Sequence, residues 1–261
     1  MLSEEGLGYG NLPKGLLRFH AYPGENRTPA HEHLVEGLQY GIGKDNTVRI
    51  HFTVSPEHES KFKEEVTKII PELKSASGVE FEVTYSLQKK STDTIAVTME
   101  NEPFEEEDGS LLFRPAGHGA LLENLNDIKA DLIFIKNIDN VVPDRLKAPT
   151  KSYKMAIAGL LLEVQEKVFD AIRGLDSGID KDSVGIAIQV YNDALGGKIP
   201  TQISSGSLEE VGSFLKEKLN RPIRVCGMVK KIQVNPAEDR FGLRKKMVPY
   251  LCKSLKRLKL I

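Results

Sequence analysis

The chain has 261 residues, with 36 Lys and Arg against 37 Asp and Glu, so its formal net charge is −1. Its hydrophobic and charged fractions, 40% and 28%, are typical of a globular protein with a buried core. Two cysteines and the lack of any apolar run near ~20 residues exclude a disulfide scaffold and a transmembrane protein. The N-terminus carries neither the basic nor the apolar segment of a signal peptide, so we expect a cytoplasmic α/β protein.

The predicted elements alternate between helices and strands. Thr28 and Pro29 are a typical N-cap and first residue of a helix that we predict to continue to about Tyr40. The near-continuous apolar run at 130–136 is typical of a strand buried on both faces of a parallel sheet. Residues 174–197 are less regular and are predicted to be an exposed excursion. Further strands are predicted at 47–54, 79–87, 94–99 and 222–229, and further helices at 55–73, 119–126, 155–173 and 207–219.

This order of elements favours a mostly parallel central sheet with helices on both faces, formed by a domain at 1–229. Residues 230–261 are predicted to be a separate, poorly ordered tail. The ligands of such sheets bind at the carboxyl ends of the strands, so the loops that follow the strands hold the candidate site.

The tail differs sharply in charge from the domain. It holds ten basic and two acidic residues, which leaves a net charge of −9 for 1–229. Three interpretations stay open: a solvated tail, a basic amphipathic segment that contacts nucleic acid or membrane, and a tail translated out of frame. We favour the third, because a shift of the reading frame within the Lys230-Lys231 codons, with a consistent choice of codons, gives a Gly/Pro turn and then an alternating strand, TVSLQIV. An intact reading frame in the DNA, without an adenine run near codon 230, would exclude it.

Several loop residues suit phosphate chemistry. Lys14 stands between a proline and a glycine, in a loop that leads towards the first helix. This position suits a phosphate contact. The alternative is an ordinary surface lysine. Lys230 ends the last predicted strand, and Gln88 follows the strand at 79–87. Each therefore lies where a ligand of the sheet would bind, although each is equally an ordinary residue at the end of a strand.

A glycine-rich corner precedes the helix predicted at 119–126. Gly117 and Gly119 would let the backbone approach a ligand closely on either side of His118, and a helix N-terminus favours anions. The alternative is an ordinary Gly-rich turn with an exposed histidine. The remaining histidines that we consider are predicted to lie at the surface (His31, His33) or to pack within a strand (His51).

Asp139 follows the apolar run at 130–136. A carboxylate at the end of a central strand suits Mg²⁺, which prefers one or two carboxylates together with phosphate oxygens. Asn137 and Asn140 flank it and could hydrogen-bond a sugar or a ribose. The alternative is a common Asn/Asp turn.

Five segments, taken in order, resemble the UDP-sugar pyrophosphorylases. They are LPKGLLRF with RTPAHEHLVEGL, VRIHFTVSPEH, SLQKKSTDTIAV, PAGHGALLENL and IFIKNIDNVVPD. In those enzymes a Pro/Gly-His/Asn-Gly loop heads a helix, and a strand ends in Asn-x-Asp-Asn. More closely, 1–230 looks like the middle of a larger, uncharacterised bacterial family related to nucleotidyltransferases. The restored reading frame after residue 230 is similar to the same family.

The resemblance implies a glycosyltransferase-A-like fold, which is a Rossmann-like three-layer sandwich. It implies transfer of a nucleotidyl group from a UTP-like nucleoside triphosphate to a sugar 1-phosphate, with neither nucleic acid nor membrane as a partner. The roles that it implies are phosphate contacts and catalysis for Lys14 and Lys230, nucleotide binding for Gln88, Gly117, His118 and Gly119, sugar or ribose binding for Asn137 and Asn140, and Mg²⁺ binding for Asp139.

The chain also departs from the pyrophosphorylase pattern. Those enzymes carry an earlier strand and a Gly-rich loop with an Arg and a Lys, whereas Gly6–Gly10 lacks the basic residues. We therefore expect an incomplete sheet and an inactive fragment. A non-catalytic nucleotide- or sugar-nucleotide-binding protein is the alternative. A sugar transferase is disfavoured because Ile138-Asp139-Asn140 does not supply an Asp-x-Asp motif.

Overall fold

The computed structural model describes residues 8–226. Within them the chain is a mixed α/β protein, and it forms two compact units that meet in sequence between Lys151 and Ser152. The α-helices are α1 (Pro29–Tyr40), α2 (Glu59–Ser77), α3 (Leu122–Asp127), α4 (Lys147–Ser177), α5 (Lys181–Gln189), α6 (Thr201–Ser204) and α7 (Leu208–Leu219). The strands are β1 (His20–Tyr22), β2 (Glu25–Arg27), β3 (Thr47–Val54), β4 (Glu80–Leu87), β5 (Thr94–Ile95) and β6 (Phe113–Arg114).

The first unit is organised by a β-α-β arrangement of β3, α2 and β4. The two strands are parallel, with Thr47 opposite Glu80 at one end and Val54 opposite Leu87 at the other. Successive side chains of a strand point to opposite faces, so alternate residues of β3 point into the core. The β-branched and aromatic side chains of β3 suit such a half-buried strand. The amphipathic helix α2 covers that side, and the buried cluster comprises Ala30, Leu34, Phe52, Val54, Phe62, Val66 and Ile69.

Helix α1 packs closely against β3. Thr28 caps it by accepting a hydrogen bond from the backbone N–H of His31 at 3.2 Å, and Pro29 occupies the first helical position. A Cβ atom at Gly37 would lie 2.9 Å from a methyl carbon of Val48, so only glycine allows this approach. The helix predicted to start at Thr28-Pro29 is therefore confirmed.

The second unit is helical. Val168, Ala171 and Leu175 of α4 are buried against α5 and α7. Ser207 caps α7 in a capping box with Glu210, as the sequence predicts for a helix over 207–219. The prediction of an irregular excursion at 174–197 is wrong: Asp180 caps α5 in a second capping box, and a π-helical turn follows over Val190–Ala194.

Other predictions for the described residues need correction. The strands form three two-stranded sheets, of which only β3–β4 is parallel, so neither a mostly parallel central sheet nor a Rossmann-like three-layer sandwich is evident there. The strand predicted at 94–99 is confined to Thr94–Ile95. Residues 222–226 have no regular structure, and the rest of the strand predicted at 222–229 lies outside the described residues.

The apolar run at 130–136 is not a strand. Ile133 is buried, and the ring of Phe134 lies 4.7 Å from that of Tyr40, measured between centroids. Side-chain contacts, rather than hydrogen bonds to a neighbouring strand, thus hold this run in place. Its apolar residues are explained by this burial and do not require a strand. None of the described helices is both long and apolar enough to cross a membrane.

Candidate functional site

Helix α1 carries a fully buried carboxylate, Glu32. Its Oε1 accepts a hydrogen bond of 2.7 Å from the Tyr22 hydroxyl and lies 2.8 Å from Nδ1 of His20. Its Oε2 accepts a hydrogen bond from Nζ of Lys147. Burial opposes the charge of Glu32, but the hydrogen bonds from Lys147, Tyr22 and His20 outweigh it, so the pKa of this carboxyl is lowered.

Asp144 links this carboxylate to the β1–β2 hairpin. It accepts a hydrogen bond of 2.8 Å from Lys147 and one of 2.8 Å from Nη1 of Arg27, and its backbone N–H donates to the Tyr22 hydroxyl. Burial would lower the pKa of Lys147, but its bonds to Asp144 and Glu32 raise it instead. Since its ammonium is buried and held by Glu32, Asp144 and the carbonyl oxygen of Val142, Lys147 is a structural cation.

Glu36 is the second buried carboxylate of α1, one turn after Glu32. Lys136 donates to both of its oxygens, at 2.7 and 2.6 Å, and the Tyr40 hydroxyl donates to Oε1 as well. Burial and the bond to Glu36 raise the pKa of Tyr40. The two lysines come from the segment 128–147, so this segment is fixed to α1 at Lys136 and at its last residue, Lys147.

Asp139 stands at the tip of a turn within that segment. The backbone N–H of Asn140 donates to the carbonyl oxygen of Asn137 at 3.0 Å, which closes the turn. Asp139 Oδ2 lies 2.8 Å from Nζ of Lys14, a residue 125 positions earlier in the sequence. The structure thus brings together the residues for which the sequence predicted phosphate and Mg²⁺ contacts.

Gly15 explains how the Lys14 turn approaches the Asp139 turn. A Cβ atom at Gly15 would lie 2.5 Å from the ring of Phe62 and 3.0 Å from a side-chain carbon of Ile138. Phe62 lies near the start of α2, directly after β3. The Lys14–Asp139 pair therefore lies towards the carboxyl end of the parallel strands, where the sequence analysis expected ligands.

His33 supports the same turn from α1. Its Nε2 donates a 3.0 Å hydrogen bond to the carbonyl oxygen of Ile138, and its ring lies edge-on to Phe52. Burial, and then the charge of Lys136, lower the pKa of His33, so the ring is neutral near pH 7. The prediction that His31 and His33 are surface residues is wrong, since His31 is buried and His33 is half-buried.

A second group of predicted residues follows β4. Asn124 is buried on α3 and donates to the carbonyl oxygen of Leu87 at 2.7 Å, which fixes α3 beside the end of β4. Gln88 is the next residue, and its Nε2 donates to Asp93 at 3.4 Å. Gly117 precedes the 3-10 turn that leads into α3. Both groups thus belong to the carboxyl side of the β3–β4 pair.

The remaining predicted residues contribute less. Gly119, Asn137 and Asn140 are exposed, and a Cβ atom at Gly117 or Gly119 would meet nothing within 4 Å. The side chain of His118 and all of Lys230 lie outside the described residues.

Two features of the described part of the chain were not predicted from the sequence. The first is the pair of buried carboxylates, whose lysine partners are 100 and 115 positions away and give no local signal. The second is His51, which was predicted to pack within a strand. It lies 2.8 Å from the hydroxyls of both Thr84 and Ser86, on the polar face of the β3–β4 pair.

Within residues 8–226, no cluster of three or more His, Cys, Asp or Glu could hold a metal ion. Asp139 is a part-exposed oxygen donor, so its chemistry fits Mg²⁺ that takes its other ligands from phosphate and water. The Lys14 ammonium beside it opposes a second cation until an anion lies between them.

Replacing Lys147 with methionine should strongly destabilise the fold. The substitution leaves Glu32 buried without its cation, which costs about 3–5 kcal/mol in such pairs. Urea denaturation measures the change. Lys68→Met is the matched control, because Lys68 forms an exposed ion pair with Glu64 on the surface of α2. Equal stability of the two variants would contradict this role of Lys147.

Gly15→Ala should destabilise the protein by about 1–3 kcal/mol, because the new methyl group overlaps Phe62 and Ile138. Gly117→Ala, whose methyl group meets open space, should leave the free energy of unfolding nearly unchanged. Thermal unfolding of both variants tests the comparison, and similar losses in both would argue against the close approach at Gly15.

The lowered pKa of His33 predicts a loss of stability in weak acid. The unfolded chain, with a His pKa near 6.5, binds protons that the folded ring does not, so the free energy of unfolding falls as pH drops below about 7. His33→Gln should give a shallower slope between pH 7 and 5.5, a range above that in which Glu32 titrates. An unchanged slope in this variant would show that His33 is not the group responsible.

Comparisons with known proteins identify the family. A family model described as "Domain of unknown function (DUF4301)" matches residues 1–239, so the match ends within the basic tail. Neither the solved structures nor the curated proteins gave a match. Since the family model covers most of its length, the chain belongs to the DUF4301 family.

Proposed function

We propose that this chain is a nucleotidyltransferase-like domain that binds a UTP-like nucleoside triphosphate and a sugar 1-phosphate. The observation that carries the proposal is the contact between Lys14 and Asp139. The sequence predicts a phosphate contact for Lys14 and Mg²⁺ binding for Asp139, and the two side chains meet across 125 residues on the carboxyl side of a parallel strand pair. The resemblance to UDP-sugar pyrophosphorylases supplies the choice of substrates.

The exposure of this pair supports a ligand-binding role. The side chains of Lys14 and Asp139 are 68% and 38% exposed. Exposed ion pairs contribute about 0–1 kcal/mol to stability, so a phosphate can take Lys14 from Asp139 at little cost. The Lys147–Glu32 pair is almost fully buried and could not be exchanged in this way.

The other candidate residues receive their roles from the resemblance. Asn137 and Asn140 lie on the same turn as Asp139 and would orient the sugar or ribose. Gln88 would contact the base, beside the glycine corner that precedes α3. We infer that β3, α2 and β4 belong to a glycosyltransferase-A-like, Rossmann-like sheet. The nucleotide-binding residues of the glycine corner would be Gly117, His118 and Gly119, with Lys230 as a second phosphate lysine.

The reaction proposed is an in-line substitution at phosphorus. An oxygen of the sugar 1-phosphate attacks the α-phosphorus of the triphosphate, and the bond to the bridging oxygen breaks, so that pyrophosphate leaves with the electron pair. Lys14 would stabilise the charge on the phosphate oxygens, and Asp139 would hold Mg²⁺, which neutralises that charge. No covalent intermediate with the protein is required, because positioning and electrostatics suffice.

Calorimetric titration with UTP, with and without Mg²⁺, tests the proposal. Lys14→Ala should weaken UTP binding by about 10-fold or more, since it removes a hydrogen bond between charged groups. Asp139→Asn should weaken binding only when Mg²⁺ is present. Lys74→Ala is the matched control, because Lys74 pairs with Glu80 at the opposite end of β4.

A pyrophosphate-release assay with UTP and common sugar 1-phosphates then separates the two functions considered. Binding with release supports the transferase, whereas binding without release with every pair supports a non-catalytic nucleotide-binding protein. Affinities for UTP that are equal in the wild type, Lys14→Ala and Asp139→Asn would refute the proposed site.

A further inference from the structure

Helix α4 exposes an apolar stripe. Met155, Leu162 and Phe169 are spaced seven residues apart, so they lie along one line of the helix surface. They are 52%, 53% and 47% exposed, and they lie on the side opposite Val164 and Ala171, which are buried in the core of the second unit. An apolar row of this length on an otherwise amphipathic helix marks an interaction surface.

The charges of α4 are distributed unequally along its length. Lys147 is buried and paired with Glu32 and Asp144, so the basic half, residues 148–158, contributes two lysines and no acid, whereas residues 159–177 hold four acids and two basic residues. An antiparallel neighbour with the same sequence would therefore place its acidic half beside the basic half of this helix. The helix is complementary to a second copy of itself, as a two-fold symmetric interface requires.

We propose that the α4 stripe is the interface of a homodimer, in which α4 packs antiparallel against α4 of a second copy. The two-fold axis passes between Ala158 and Gly159. This register places Met155 opposite Leu162 of the partner subunit.

The open space at Gly159 and the pairing of charges favour this register. A Cβ atom at Gly159 would meet nothing within 4 Å, so the surface at the axis is open, and its small residues let two helices approach closely. Lys151 would face Glu166 of the partner subunit. An axis through Leu162 would instead set Lys151 against Arg173 of the partner subunit, which is unfavourable.

The interface is small. One helix pair buries less surface than a standard stable interface, so we expect dissociation in the range of about 10–100 μM. Sedimentation equilibrium of the full chain between 5 and about 300 μM covers this range. The wild type should change from monomer to dimer within it, and added salt should weaken the dimer.

Leu162→Lys should weaken the dimer by at least about tenfold, because it brings a charge into the apolar contact. Ile186→Lys is the matched control, since Ile186 on α5 is also 55% exposed but lies outside the stripe. Circular dichroism should show that both variants keep the wild-type helix content. A wild type that stays monomeric at 300 μM would overturn the proposal, and so would equal weakening by both substitutions.

The register is tested by a single cysteine at the axis. In a chain whose Cys226 and Cys252 are replaced by serine, Gly159→Cys should form a disulfide-linked dimer on mild oxidation. Gly185→Cys, on the exposed side of α5, should not. Equal cross-linking of the two variants, or none at residue 159, would refute this antiparallel arrangement.

Discussion

The first unit depends on charges that helix α1 buries. Glu32 and Glu36 lie one turn apart, and each is paired with a lysine from the segment that leads to α4. A buried carboxylate that loses its cation costs several kcal/mol, which is a large part of the stability of a typical domain. The segment 128–147 must therefore pass along α1, although it has little regular structure of its own.

The two buried ion pairs hold the segment that carries the candidate site against α1. The Asp139 turn lies between the two lysines that bind α1, and Ile138 is held from one side by His33 and from the other by the Gly15 turn. The contact from Lys14 to Asp139 is exposed and cheap to exchange. The buried lysine–glutamate pairs thus fix the backbone of the site, whereas the weak Lys14–Asp139 pair occupies the side chains that are proposed to contact a ligand.

Local signals in the sequence predicted local structure well. The Thr28 cap, the β-branched run of β3 and the Ser207 cap each act within a few residues, and the structure confirms each element. The run at 130–136 was misread because an apolar segment can be buried by side-chain contacts as readily as by a sheet. Lys14 and Asp139 were selected separately, but their contact joins distant positions, which no local pattern encodes.

The buried pairs also limit the substitutions that this chain can accept. A lineage that loses the acid at position 36 would retain an uncompensated ammonium from Lys136 in the interior, and a lineage that loses the lysine would retain the opposite defect. Replacing only one residue of the pair should therefore destabilise the protein. A double substitution avoids this cost when two uncharged residues of similar volume replace the acid and the lysine together.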